Sequence, residues 1–259
     1  MSETHFATAG GHRLEYAWHG RGHGRVDRDV PPIVMLHEGL GSVALWRDFP
    51  QRLAKSTQRR VLVYSRYGYG RSDPLTEPRD VDFMHVEALQ TLPQLLDALG
   101  IRNPVLFGHS DGGSIALIHA ARGRRPVSAV IALAPHVFVE AYGLASIAET
   151  RRAYFEDDLR ERLARRHADV ESAFWGWNDI WLHRDFVRWN IEAILPDIAC
   201  PVLGIQGLDD QYGTMAQLDR IEHSVRSFRR VELSDCGHSP HRDQPEAVLA
   251  AAAKFLNAG

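Results

Sequence analysis

The sequence predicts an α/β protein, with a mostly parallel sheet, helices on both faces and an all-helical insertion late in the chain. Three observations predict it. Short runs that are apolar throughout, such as Ile33–Leu36, Val61–Tyr64 and Val105–Phe107, suit strands buried on both faces. Segments with apolar residues at helical spacing separate them, which is the alternation of a parallel sheet. From about Phe138 to Ala199 the alternation stops. No good strand occurs there, and the stretch is too long for one crossover helix.

The elements follow in order. Residues 4–19 alternate apolar and polar positions (Phe6, Leu14, Tyr16, Trp18) and predict an opening antiparallel pair. Residues 20–29 are polar and glycine-rich, a loop; His19 and His23 fit a solvated loop better than a metal site. After the strand Ile33–Leu36, a helix is expected from about Ala44 to Lys55. Val61–Tyr64 is the next strand, and Ser65–Pro74 a tight loop with glycines and a proline. Phe83–Leu99 has helical periodicity ended by Gly100, with Pro93 bending or breaking it. Val105–Phe107 precedes a helix that contains Ile115, Ala116, Leu117 and Ala120. Val127–Leu133, Pro201–Gln206 and Phe228–Leu233 are further strands; Met215–Ile221 and Pro245–Leu256 are helices. Within the insertion, Ser146–Phe155, Asp158–His167 and Phe186–Leu195 read as helices. Four of the six tryptophans (Trp175, Trp177, Trp181, Trp189) lie in this region. The expected organisation is a core of residues 1–137 and 200–259 with a helical cap, 138–199, inserted in it.

A chain of 259 residues suffices for this plan. The hydrophobic fraction of 44% and charged fraction of 24% are those of an ordinary soluble protein. A net charge of −3 without a long single-sign run argues against nucleic-acid and membrane-surface partners and leaves a small molecule as the expected one. The N-terminus lacks the basic and apolar regions of a signal peptide, and no run of about 18 apolar residues occurs, so the expected location is the cytoplasm. Cys200 and Cys236 imply neither a disulfide framework nor a zinc site, and no His-Glu-x-x-His pattern exists. No metal and no cofactor is expected.

Function in a parallel sheet gathers beyond the carboxyl ends of the strands. Four motifs end strands here: His37-Glu-Gly-Leu-Gly41, Gly108-His-Ser-Asp-Gly112, Gly207-Leu-Asp-Asp210 and Asp235-Cys-Gly-His238. The second fits G-x-S-x-G in a strand–turn–helix setting, the context of a nucleophile elbow. A bland alternative is a glycine-rich turn with a capping serine. The four motifs supply serine, then acid, then histidine, in the order of the α/β-hydrolase triad.

Nearly the full length of the chain resembles a capped α/β-hydrolase. The resemblance implies Ser110 as nucleophile, His238 as its base and Asp210, third after Gly207, as the acid, with Asp209 a turn residue. Serine is a poor nucleophile without an adjacent base, imidazole changes charge near neutral pH, and a carboxylate fixes the imidazole's tautomer. The backbone N–H groups of Asp111 and Gly39 are the implied oxyanion donors, with Leu40 the other candidate for the second. The family usually reads His-Gly-x-x-Gly where this chain has Glu38. Arg66-Tyr-Gly-Tyr-Gly-Arg-Ser-Asp73 resembles a loop that marks the family, and no chemistry is assigned to it. His109 is expected to pack beneath the elbow, and His241 to lie at the surface or behind the site.

The run Ser110-Asp-Gly-Gly113 is similar to that of valacyclovir hydrolase-like esterases, in which the aspartate helps to recognise an amino group. If Asp111 and Glu38 both border the pocket, they would favour a cationic or amine-bearing substrate. Otherwise Asp111 caps the helix and Glu38 bonds nearby backbone. Trp175, Trp177 and Trp181 are the tryptophans expected to line the pocket, if they do more than pack the cap. The implied activity is a cofactor-independent serine hydrolase of a carboxylic ester or related acyl bond. Hydrolysis of a C–C bond, lactone or thioester, lyase use of the same triad, and a receptor that retains the fold are alternatives. Dehalogenases and epoxide hydrolases of this fold place aspartate at the elbow, which Ser110 opposes.

Overall fold

The computed structural model describes residues 3–20 and 30–257. The expected loop at 20–29, with His23, therefore lies outside the described residues from Arg21 onward. Eight strands form one sheet: β1 (Thr4–Ala9), β2 (His12–His19), β3 (Ile33–Leu36), β4 (Val61–Tyr64), β5 (Val105–His109), β6 (Ala129–Leu133), β7 (Val202–Gly207) and β8 (Phe228–Leu233). Their spatial order is β1-β2-β4-β3-β5-β6-β7-β8. Only the β1/β2 and β2/β4 pairs are antiparallel; every pairing from β4 to β8 is parallel.

Alternate residues of the central strands enter two separate cores. Val34, Leu36, Leu62, Tyr64 and Leu106 face one side, together with α2 (Phe83–Val86), α3 (Leu92–Ala98) and α4 (Asp111–Arg122). Ile33, Met35, Val61, Val63, Val105 and Phe107 face the other, against α1 (Phe49–Thr57). Both faces are covered, so these strands carry no polar alternation.

Two expected helices differ in detail. The one over 44–55 is split: a 3-10 turn, Val43–Trp46, ends at Arg47 in a positive-φ conformation (φ 54°), and α1 starts anew with Pro50 in its first turn. The one over 83–99 contains a π-turn at Glu87–Thr91, which ends two residues before Pro93. Proline has no N–H for the bond to the residue four back, and the wider turn absorbs that gap.

Between β6 and β7 the chain forms α5 (Ala141–Glu156), α6 (Leu159–Ala164) and α7 (Val170–Trp181). The third helix was not anticipated, although Asp169 caps it by accepting from Ser172 N–H at 2.9 Å. Ala173, Phe174, Trp177 and Trp181 supply its buried stripe. The helix expected over 186–195 is instead two 3-10 turns, Phe186–Arg188 and Glu192–Asp197, with Pro196 in the second. The insertion is tied to the sheet side by His167. Its Nε2–H donates to Leu40 O at 3.1 Å, and its Nδ1 accepts from Gly70 N–H at 2.9 Å. After β7 come α8 (Ala216–Ser224), then beyond β8 a short turn, α9 (Pro240–Asp243), and α10 (Pro245–Leu256), which packs with α1.

Candidate active site

Ser110 sits between β5 and α4 with φ 52° and ψ −120°, a strained conformation for a side chain with a Cβ. The turn requires its flanking glycines. A Cβ on Gly108 would strike the Gly112 carbonyl, and one on Gly112 would strike the Leu36 carbonyl. Strand and helix therefore approach closely and lift the serine to the carboxyl edge of the sheet.

Three side chains from β5, β7 and β8 loops meet there. Ser110 Oγ lies 2.9 Å from His238 Nε2, and His238 Nδ1 lies 2.8 and 3.0 Å from the two Asp210 oxygens. A carboxylate only accepts, so Nδ1 carries the proton and Nε2 is free to accept from the serine hydroxyl. Asp210 is fixed in turn: Oδ1 accepts from Tyr212 N–H (2.8 Å) and Gly213 N–H (3.2 Å), and Oδ2 from Gln206 Nε2 (3.2 Å). Burial alone would raise its pKa, but the His238 hydrogen bond and charge and the Tyr212 N–H outweigh burial, and the carboxyl sits below its ordinary value. Asp209 is exposed and makes a backbone bond to Cys236.

Across from the triad lies the loop after β3. The Glu38 carbonyl accepts from Arg66 Nη2 (2.9 Å), His37 Nδ1 (2.6 Å) and Gly41 N–H (3.0 Å). His37 Nε2 accepts from Arg66 N–H at 3.0 Å, so the ring is neutral; burial, chiefly, holds its pKa well below the ordinary value. In a trans peptide the N–H points opposite to the carbonyl. The Gly39 N–H is thereby turned away from Arg66, and Gly39 borders the cavity that holds Ser110. Neither it nor the Leu40 or Asp111 N–H has a protein acceptor among the described residues. A Cβ on Gly39 would collide with the Trp177 ring, so α7 closes directly on this loop.

That cavity is about 160 Å3 and is walled by Leu40, His136, Ile147, Trp177 and Trp181 around Ser110. A larger groove, about 1240 Å3, bordered by Glu15, Arg47, Arg71 and Arg166, contains none of the triad. Two expected pocket residues lie elsewhere. Trp175 is on another cleft, beside Leu75 and Arg79, with its Nε1–H donating to Glu171. The Asp111 carboxylate is fully buried away from the cavity. One oxygen accepts from Trp181 Nε1–H at 3.1 Å, and the other is 3.5 Å from Arg66 Nη2. Burial raises the Asp111 pKa and Arg66 offsets this in part; the guanidinium stays charged. Glu38 does border the cavity, but its two oxygens lie 3.4 Å from His109 Nδ1 and 3.4 Å from Arg242 Nη2. Despite burial, the His109 and Arg242 contacts keep that carboxyl well below its ordinary pKa.

His109 packs beside the elbow and also reaches the loop after β8, donating from Nε2 to the His238 carbonyl at 2.6 Å. His241 is buried rather than at the surface, among Trp46, Phe49 and His109. Arg66 and His136 were not singled out from the sequence. Each ends or follows a strand at the sheet's functional edge, which is the signal that could have found them.

The sequence profile of the alpha/beta hydrolase fold matches residues 31–177. The chain belongs to this family. An sn-1-specific diacylglycerol lipase from Xenopus laevis is 28% identical over 256 residues, covering 87% of this chain and 80% of that protein. A putative carbamate hydrolase RutD from Stutzerimonas stutzeri is 29% identical over 243 residues, covering 85% and 88%. The enol-lactonase structure from Burkholderia xenovorans superposes with a TM-score of 0.75 at 23% identity over 97% of this chain and 99% of that one. Hydrolysis is the activity these relatives share, and the chain is a hydrolase of the family. No helix among the described residues is long and apolar enough to cross a membrane.

Proposed function

We propose that the protein is a cofactor-independent serine hydrolase that cleaves a carboxylic ester or related acyl bond through an acyl-enzyme on Ser110. The continuous Ser110–His238–Asp210 hydrogen-bond chain, facing two unengaged backbone N–H groups, carries this reading. Ser110 Oγ attacks the acyl carbon and its proton passes to His238 Nε2. The carbonyl oxygen becomes an oxyanion and accepts from the Gly39 and Asp111 N–H groups. Asp210 stabilises the imidazolium. Collapse expels the alcohol, which leaves with the proton from His238. Water then gives a proton to His238 and attacks the acyl-enzyme; the second collapse releases the acid and returns the proton to Ser110.

Leu40, Ile147, Trp177 and Trp181 beside Ser110 support an acyl group with an apolar portion. In this reading, residues 138–199 act as a cap on the core of 1–137 and 200–259. The partner is a small substrate, met in the cytoplasm, without nucleic acid, membrane, metal or cofactor. The test is a panel of p-nitrophenyl esters, from acetate to palmitate, with lactones and thioesters beside them, together with a fluorophosphonate probe. At least one p-nitrophenyl ester should be cleaved and the probe should label the parent. Ser110→Ala should lose both; labelling of that variant at the parent's level refutes the assignment.

A further inference from the structure

We propose that His136 selects the substrate: its imidazole receives an uncharged polar group, a hydroxyl above all, on the acyl chain. This rests on the serine-hydrolase reading and adds the chemical class of its substrate. His136 follows β6, and its peptide is pinned on both sides. Its N–H donates to Ser114 Oγ at 3.1 Å, and its carbonyl accepts from the Ser114 hydroxyl at 2.6 Å. The ring borders the same cavity as Ser110 and is 5% exposed. It stands edge-on to Trp181, with centroids 5.0 Å apart, and 5.8 Å from the His238 ring. Gly213 lies against its Cε1, where a Cβ would come to 3.3 Å.

Neither ring nitrogen of His136 has a hydrogen-bond partner among the described residues. His37, His109, His119 and His167 are also buried, and each has at least one. His241 has none either, but it is packed among aromatic rings and does not border the cavity. Burial, helped by the neighbouring His238, lowers the His136 pKa to about 3, so the ring is neutral at any working pH. A neutral imidazole offers one donor and one acceptor. Unlike the buried nitrogens of His241, those of His136 open onto the cavity, so a substrate group that bonds them replaces water there and is preferred over an apolar group that would strand them.

The rest of the wall narrows the choice. The Glu38 carboxylate faces His109 and Arg242, and the Asp111 carboxylate faces Arg66 and Trp181, so neither is left for a cationic acyl group. The Tyr212 hydroxyl bonds Thr150 at 2.8 Å. Leu40, Ile147 and Trp177 are apolar; Ser239 and Arg242 also line the wall, and the Arg242 guanidinium is turned to Glu38 and to the Leu45 carbonyl. The polar group received by His136 therefore sits on the part of the acyl chain that lies in this space beside Ser110. A hydroxyl both donates and accepts, and so suits either ring nitrogen.

The test compares p-nitrophenyl butyrate with p-nitrophenyl 2-hydroxybutyrate and 3-hydroxybutyrate, each rate divided by that ester's hydroxide-catalysed rate. For the parent, kcat/KM for one hydroxy ester should exceed that for butyrate by roughly three- to tenfold. In His136→Phe and His136→Leu that ratio should fall to about one, and His136→Gln, which keeps a donor and an acceptor, should retain part of it. The ratio is taken within each variant, so a general loss of activity cancels. A parent ratio near one for both hydroxy esters overturns the assignment of His136, as does a ratio unchanged in whichever of the Phe and Leu variants folds. Failure of the parent to cleave any ester, with no labelling by fluorophosphonate, overturns the serine-hydrolase reading itself.

Discussion

Replacing Arg66 by methionine should slow catalysis without weakening substrate binding. The guanidinium donates to the Glu38 carbonyl at 2.9 Å and to the His37 carbonyl at 3.4 Å, and it faces Asp111 at 3.5 Å. It thus holds the peptide whose N–H is the proposed Gly39 donor and anchors the side chain of the residue that supplies the other. A charged donor on a carbonyl also polarises that peptide and strengthens its N–H. Complete loss of one oxyanion donor costs on the order of 10²–10³ in turnover. His37 and Gly41 still hold the Glu38 carbonyl in the variant, so kcat should fall by about 10- to 100-fold, with KM changed by less than about threefold. Stability should fall as well, by up to about 3–5 kcal/mol, because Asp111 loses its partner in a buried site. The double variant Arg66→Met/Asp111→Asn separates the two effects. Steady-state kinetics on a short ester and thermal melting should show stability largely regained and kcat still low. If the double variant regains both, Arg66 only balances a charge and does not orient the oxyanion loop.

Two further outcomes follow from the site. Asp210→Asn should lower kcat by about 10⁴-fold through the wrong His238 tautomer while the melting temperature changes little, whereas exposed Asp209→Asn should stay within about twofold; equal losses at both positions would reverse the choice of acid. Acid should destabilise the protein. His37, His119, His136, His167 and His241 are buried, and desolvation lowers each pKa in the folded chain. Unfolded, each binds a proton below about pH 6.5, so stability falls as pH drops through that value, by up to about 1.4 kcal/mol per pH unit for each ring. Circular dichroism and thermal melting should therefore show stability declining as pH falls below about 6.5, and a melting temperature unchanged between about pH 7 and pH 5 would refute this.

The fold was legible because its signals are local. All-apolar runs gave the buried strands, and the glycines around Ser110 gave the elbow, since both follow from sterics and burial within a few residues. Ser110, Asp210 and His238 were legible because each sits in a short motif at a strand end, and the structure brings those ends within hydrogen-bond distance. The insertion was legible only as helical. Its tryptophan helix went unmarked although Asp169 and the Ala173–Phe174–Trp177–Trp181 stripe announce it. The break at Arg47 could not be read, because a positive φ in an arginine has no compositional sign.

What the sequence could not carry is charge pairing across long separations. Asp111 beside the nucleophile and Glu38 opposite it look, in one dimension, like two free carboxylates awaiting a cation. Arg66 lies 45 residues from the first and Arg242 lies 204 from the second; neither spacing is periodic, so no pattern joins them. In three dimensions each carboxylate faces a guanidinium, and Trp181 closes over Asp111. The charges that border the pocket, Glu38 and Arg242, face each other, and the neutral ring of His136 adds a polar group that no side chain among the described residues engages. Electrostatic specificity in such a site is a property of which charges are left over after pairing, and residue identity alone does not determine that remainder.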